Sequence, residues 1–197
     1  MAKISWLKSK PIERSNQEEF TKFGDQLRQK TIPRKLRQSN FMPVIELDTR
    51  ISVVPEICYK LSLSVDLHKL SAGSTGEHIV GGVKSGIMKE GDVVTWKARH
   101  FGIWQTLSTK ITQEIRYECF VDEMIDGAFE SMRHEHFFTE YTDGTLMKDV
   151  FKFESPLGIF GKLFNVVILN NYMREFLLER NRKLKEVAES DMYGQFL

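Results

Sequence analysis

Five runs of alternating apolar and polar residues fill positions 92–154 almost without interruption. They span 92–101, 103–114, 117–125, 131–141 and 145–154. Their junctions are Phe101-Gly102, Ile115-Arg116, Asp126-Gly127 and Thr142-Asp143-Gly144. Junctions this short leave no room for a crossover, so consecutive strands must pair antiparallel. A meander of this kind makes one sheet with one face to bury, and the cover must come from elsewhere in the chain.

The stretch 156–189 supplies that cover. Ser155-Pro156-Leu157-Gly158 opens it with proline placed to start a helix. No proline or glycine follows Gly161 until Gly194. Phe160, Leu163, Phe164, Val167, Ile168, Tyr172, Phe176, Leu177, Leu184, Val187 and Ala188 recur at helical spacing, and charges fill the other face from Arg174 onward. A helix of about 30 residues is about 45 Å long. Its first half, Ile159 to Leu169, is apolar on nearly every side but carries Lys162 and Asn165. It falls short of the roughly 18 residues of a membrane span.

Ahead of the meander, 44–53 alternates as a strand. Pro55 starts a helix that runs to about His68 in one or two pieces. Gly73, Gly76, Gly81 and Gly82 mark turns and a bulged strand over 77–84. The order strand, helices, six strands, long helix predicts an α+β fold. In it, a seven-stranded curved antiparallel sheet wraps one long C-terminal helix, with two short helices after the first strand. The domain is expected over 44–190, with 191–197 as a tail.

Residues 1–43 read as a basic, partly helical extension. Ser15-Asn16-Gln17-Glu18 is a capping box, and Phe20, Phe23 and Leu27 give the following segment one apolar face. Residues 1–44 hold ten Lys/Arg and four Asp/Glu, a formal +6, and the rest holds eighteen against twenty-three, a formal −5. Such an arm solvates itself, folds back on the acidic domain, or meets an anionic membrane; nucleic acid is not the expected partner. Cys58 and Cys119 lack metal-ligand spacing and suit buried thiols of a cytoplasmic protein. The start, Met1 to Lys10, has no apolar core of a signal peptide.

Alternation also assigns faces. Lys148 and Lys152 belong in water, which turns Met147, Asp149, Phe151 and Phe153 inward. By the same logic Met132, His134, His136 and Phe138 face inward, and Arg133, Glu135 and Phe137 outward. The inner face continues with Phe120, Asp122 and Met124, then Ile103, Gln105, Leu107 and Ile111, then Val94, Trp96, Ala98 and His100. Trp104 and Lys110 stay outside. The polar members are the informative ones. With the turns as hairpin centres, Asp122 lies opposite His134, and His136 opposite Asp149, close enough for two carboxylate–imidazole pairs.

The segments DVVTWKARHFGIWQTLSTKI (92–111), FVDEMIDGAFESMRHEHFF (120–138) and GTLMKDVFKFESPLG (144–158) resemble the SRPBCC superfamily. In particular they are similar to bacterial ligand-binding members grouped with polyketide cyclase/dehydrase and START-like domains. The resemblance covers about Val44 to Ser190 and leaves out residues 1–43. It implies the helix-grip fold, with a deep apolar cavity between sheet and C-terminal helix that holds a lipid, polyketide or similar molecule. Trp96, His100, Gln105, Leu107, Phe120, Met124, Phe138, Met147, Phe151 and Phe153 would line it, with Phe164 and Ile168 from the helix.

Three roles fit Asp122, His134, His136 and Asp149. They form a satisfied network that fixes strand register, the polar end of a ligand cavity, or an acid–base pair of a cyclase, dehydratase or hydrolase. In the last, a carboxylate would raise the imidazole pKa toward neutrality. Alternate strand positions offer no metal-specific spacing. No phosphate loop, nucleotide fingerprint, serine elbow or zinc pattern occurs, so no metal and no cofactor is expected. The favoured expectation is a binding module for a small hydrophobic ligand. The alternatives are an enzyme, or a lipid carrier docking through residues 1–43.

Overall fold

The structure, a computed structural model, describes residues 43–71, 76–154 and 168–197. The chain runs β1 (Val44–Ile51), α1 (Pro55–Ser62), α2 (Val65–Ser71), β2 (His78–Gly82), β3 (Val93–His100), β4 (Ile103–Ile115), β5 (Cys119–Gly127), β6 (Ser131–Tyr141), β7 (Gly144–Glu154) and α3 (Asn170–Ala188). The seven strands form one sheet in the order β1-β7-β6-β5-β4-β3-β2, every neighbouring pair antiparallel. With the C-terminal helix packed against β1, α1 and α2, this is the helix-grip arrangement expected from the sequence.

Local chemistry explains the elements. Pro55 occupies the first turn of α1, where its missing N–H costs nothing. The segment 55–68 does break in two. Leu63 ends α1, and Ser64 bridges to Ile87 before Val65 restarts the helix with its N–H on the Gly86 carbonyl. Helix α3 buries Leu177, Asn181, Leu184, Val187 and Ala188 on one stripe. The expected start of this helix at Pro156, and Phe164 with it, lie outside the described residues. So does the basic extension through residue 42. The tail is not a loose end: Tyr193–Phe196 closes a short 3-10 turn, and Tyr193 and Phe196 pack on the core.

Two apolar clusters fill the space under the sheet. One gathers Trp96, Phe120, Phe138 and Met147 with α1, α2, Leu184 and Val187. The other gathers Ile45, Leu47, Met132, Phe151, Phe153 and Leu177, with Leu107, Met124 and Met173 at its margin. The register of β4 against β5 slips between Ser108 and Thr109 and again between Ile111 and Gln113. Bulges of this kind bend a strand and sharpen its twist. The first of them lies on β4 beside Leu107, at the margin of the second cluster. Among the described residues no helix is long and apolar enough to cross a membrane.

The assigned faces hold along β3, β6 and β7, where the residues expected inward are buried; His100, at the end of β3, is half-buried. Two positions differ. Phe137, on the outer face, is nevertheless only 7% exposed. Ile103, on the inner face, is 65% exposed because it sits at the free end of the β3–β4 hairpin.

Where β1 leaves the sheet, Gly144 lies against its backbone. A Cβ there would collide with the Ile51 carbonyl oxygen and stand 2.9 Å from Ser52 Cα. Gly144→Ala is expected to lower stability by about 1–3 kcal/mol, the usual cost of overpacking against atoms that cannot move aside. Urea unfolding of the full chain measures it; an unchanged midpoint would show that β1 shifts freely.

Candidate functional site

A polar seam separates the two apolar clusters. On β7 it is Asp149, between Met147 and Phe151. On β6 it is His134 and His136, between Met132 and Phe138. On β5 it is Asp122, on β1 Thr49, and on α3 Asn181, between Leu177 and Leu184. The strand register matches the expectation: Asp122 pairs with His134 and His136 with Asp149. The side chains do more than pair along it. Each imidazole reaches both carboxylates.

His136 is held from both sides. Its Nδ1 is 2.7 Å from Asp149 Oδ1 and its Nε2 is 3.2 Å from Asp122 Oδ1. His134 Nε2 is 3.1 Å from Asp149 Oδ1, whereas its Nδ1 stands 3.9 Å from Asp122. The two imidazole centroids are 3.8 Å apart. The second oxygen of Asp149 accepts a hydrogen bond of 2.6 Å from Asn181 Nδ2, which also donates to Thr49 Oγ1 at 3.2 Å.

This geometry assigns the protons. Burial opposes a charge on His136, but its hydrogen bonds to Asp122 and Asp149 outweigh it and raise its pKa. Burial lowers the pKa of His134 to about 4, and the charge on His136 adds to that effect. The rise expected of an imidazole beside a carboxylate is found at His136 and not at His134: two rings this close do not both ionise. Burial raises the pKa of Asp122, but the hydrogen bond from His136 and the nearby positive charges bring it down to about 2. Asp149 is likewise held well below the usual range by its histidine partners, against its burial. Between two carboxylates, the seam thus favours a proton on His136 and disfavours one on His134.

One donor atom from each of Asp122, His134 and His136 lies within 4.8 Å of the others, close enough to converge on a metal ion. Sequence spacing hides this because the three sit on neighbouring strands. Three of the four ring nitrogens are already within hydrogen-bond reach of a carboxylate, so a cation would have to displace the shared protons.

The seam does not line the larger cavity. That cavity, about 450 Å³, lies between the end of the β3–β4 hairpin, the β5–β6 loop and the start of α3. Its volume falls in the range of small-molecule sites. Of the residues expected to line a cavity, Trp96, His100, Gln105 and Leu107 do so, joined by Ala98 and Ile103. Phe120 and Asp122 face a second cavity of about 50 Å³ with Arg180 and His68, and Trp96 forms a wall of both. His134, His136, Phe138, Met147, Asp149, Phe151 and Phe153 are buried in the seam or the clusters and touch neither space. Met124 packs at the edge of the second cluster, and Ile168 is largely exposed.

Among the cavity residues that the sequence pattern did not single out are Glu77, Phe129 and Met173. Glu77 precedes Ile79 by two positions and so shares its inward face. Asn181, a member of the seam, was visible as the polar exception in the stripe Leu177, Asn181, Leu184, Ala188. Around Glu77, the His68 ring stacks on Trp96 at 4.2 Å and His68 Nε2 stands 3.6 Å from Glu77 Oε1. His100 Nδ1 is 2.6 Å from the Tyr172 hydroxyl.

No family model matches the sequence, and no curated protein is significantly similar to it. Solved structures are similar in fold. The KanY protein superposes with a TM-score of 0.60 at 13% identity, covering 77% of this chain and 100% of that one. TTHA0849 from Thermus thermophilus gives 0.59 at 16%, covering 75% and 100%. Major latex-like protein 151 from Panax ginseng gives 0.55 at 15%, covering 80% and 99%. These likenesses establish the helix-grip fold.

Two measurements check the seam. Histidine NMR at pH 6.5 should show His136 as imidazolium and His134 as a neutral ring. Folded His134 declines a proton that the unfolded chain accepts, so its contribution to stability falls as pH drops from 6.5 toward about 4. The contribution of Asp122 falls below 3.8 toward about 2. That of His136 runs the other way: it is full below 6.5 and lost as pH rises through the raised folded value. Separately, Asn181→Leu leaves Asp149 Oδ2 without its donor and should cost about 1–3 kcal/mol in denaturant unfolding at pH 7.

Proposed function

We propose that this protein binds one small, largely apolar molecule in the cavity between the β3–β4 hairpin and α3. The observation that carries the reading is the cavity itself. It holds about 450 Å³, and its walls include Trp96, Leu107, Phe129, Met173 and Phe176. Burial of ligand surface at about 25 cal/mol per Å² supplies the driving force. The exposed Ile103, at the free hairpin end, stands at the mouth. The SRPBCC resemblance of the sequence supports the same class of function, and the lipid or polyketide it implies is one such molecule.

Acid–base catalysis by His134 or His136 draws no support from their placement. Both rings are buried in the seam, and neither lines the larger cavity. The membrane-docking role of residues 1–43 concerns residues outside those described.

The test is uptake of N-phenyl-1-naphthylamine, an uncharged fluorescent probe, by the full chain. One equivalent should bind, and Leu107→Trp, which fills the cavity from β4, should weaken binding about tenfold or more, the loss of about 1.4 kcal/mol. Native mass spectrometry of the purified protein would reveal any molecule already held. No uptake, or uptake indifferent to Leu107→Trp, sinks the proposal.

A further inference from the structure

Glu77 is out of place in the wall of an apolar cavity. Its side chain is only 8% exposed. Burial alone would favour the neutral acid, yet the contact with His68 and the field of Arg180 keep its pKa below the ordinary value. The group is therefore a carboxylate. Its charge is compensated by these neighbours, but its hydrogen-bonding capacity is not. Oε1 faces His68, while Oε2 is buried and has no hydrogen-bond partner. Among the described residues it is the only such carboxylate oxygen, and an acceptor left in this state is costly.

The surrounding polar groups are not arranged to relieve it. His100 is engaged with Tyr172, and burial lowers the pKa of His100, so the ring is neutral. Arg180 belongs to the smaller cavity on the other side of Trp96. None of these groups donates to Oε2, and Glu77 stands in the wall of the ligand cavity.

We infer that the cavity selects an apolar molecule whose polar end donates a hydrogen bond, an amine or a hydroxyl, and that Glu77 is the group that reads it. The inference rests on the binding reading above and names its ligand class. An apolar molecule ending in a carboxylate brings a second anion and no donor to Glu77, so the site discriminates against it. That discrimination is built from an unpaired acceptor rather than from shape, which is the stronger basis for selectivity.

The experiment compares three molecules of one chain length, decylamine, 1-decanol and decanoate, as competitors of N-phenyl-1-naphthylamine on the full chain at pH 7.5. The amine and the alcohol should each displace the probe at about tenfold lower concentration than decanoate. Glu77→Gln, checked for an unchanged unfolding midpoint, should bring all three to within about threefold of one another. Decanoate binding as tightly as the other two, or tightest, would overturn the inference and assign the polar end to a donor such as Gln105. An unchanged ranking in Glu77→Gln would overturn it as well. The ranking in the native chain stands on its own if the variant does not fold. Failure of the probe and all three competitors to bind would instead remove the cavity reading beneath it.

Discussion

His136 is held between two carboxylates in the middle of an otherwise apolar core, and the arrangement of the sheet around it depends on that. Asp122, His134, His136 and Asp149 come from three adjacent strands. A slip of one residue in any of them would turn an ionised group toward the wrong face of the sheet. Hydrophobic burial alone tolerates exchange of one inward phenylalanine for another. A closed set of charges and hydrogen bonds does not, because each unpaired member would be left desolvated. Through Asn181 and Thr49 the same set reaches the helix and the edge strand, so it fixes how α3 lies on the sheet as well as how the strands pair.

The seam also divides the interior by function. On one side Phe120, Phe138, Met147 and the short helices pack into a core that leaves only a cavity of about 50 Å³. On the other, Leu107 and Met173 at the margin of the second cluster line the larger cavity, which extends to the hairpin end. The more closely packed half supplies burial, and the other half can then hold space without losing the fold. The histidines that look most chemical in the sequence lie buried between these halves and line neither cavity. The groups facing the space are mainly apolar, with Glu77, His100, Gln105 and Tyr172 among the exceptions.

Much of this was legible in the chain. Short junctions fixed antiparallel neighbours, and period-two alternation placed Met132, His134, His136 and Phe138 inward as found. Even the pairing of Asp122 with His134 followed from the turn positions. What alternation misses is where a side chain points after it leaves the strand. Imidazole reaches far enough to contact the carboxylate of a neighbouring strand on either side, so the two expected pairs became one four-membered set. Phe137 shows the same limit from the other face, since burial there is not a matter of period.

The sequence by itself determined the order of elements, the inward and outward faces of most strands and the presence of four ionisable groups beneath the sheet. These follow from spacing along the chain, which local sterics and turn chemistry translate directly into structure. The tertiary structure decided which of two adjacent imidazoles keeps the proton, because that depends on distances among three strands and a helix. It also decided where the fold leaves room, and that Glu77, one residue before a short edge strand, would stand in the wall of that room with an oxygen unserved. Cavities and unpaired acceptors are what packing leaves over, and no local pattern encodes a remainder.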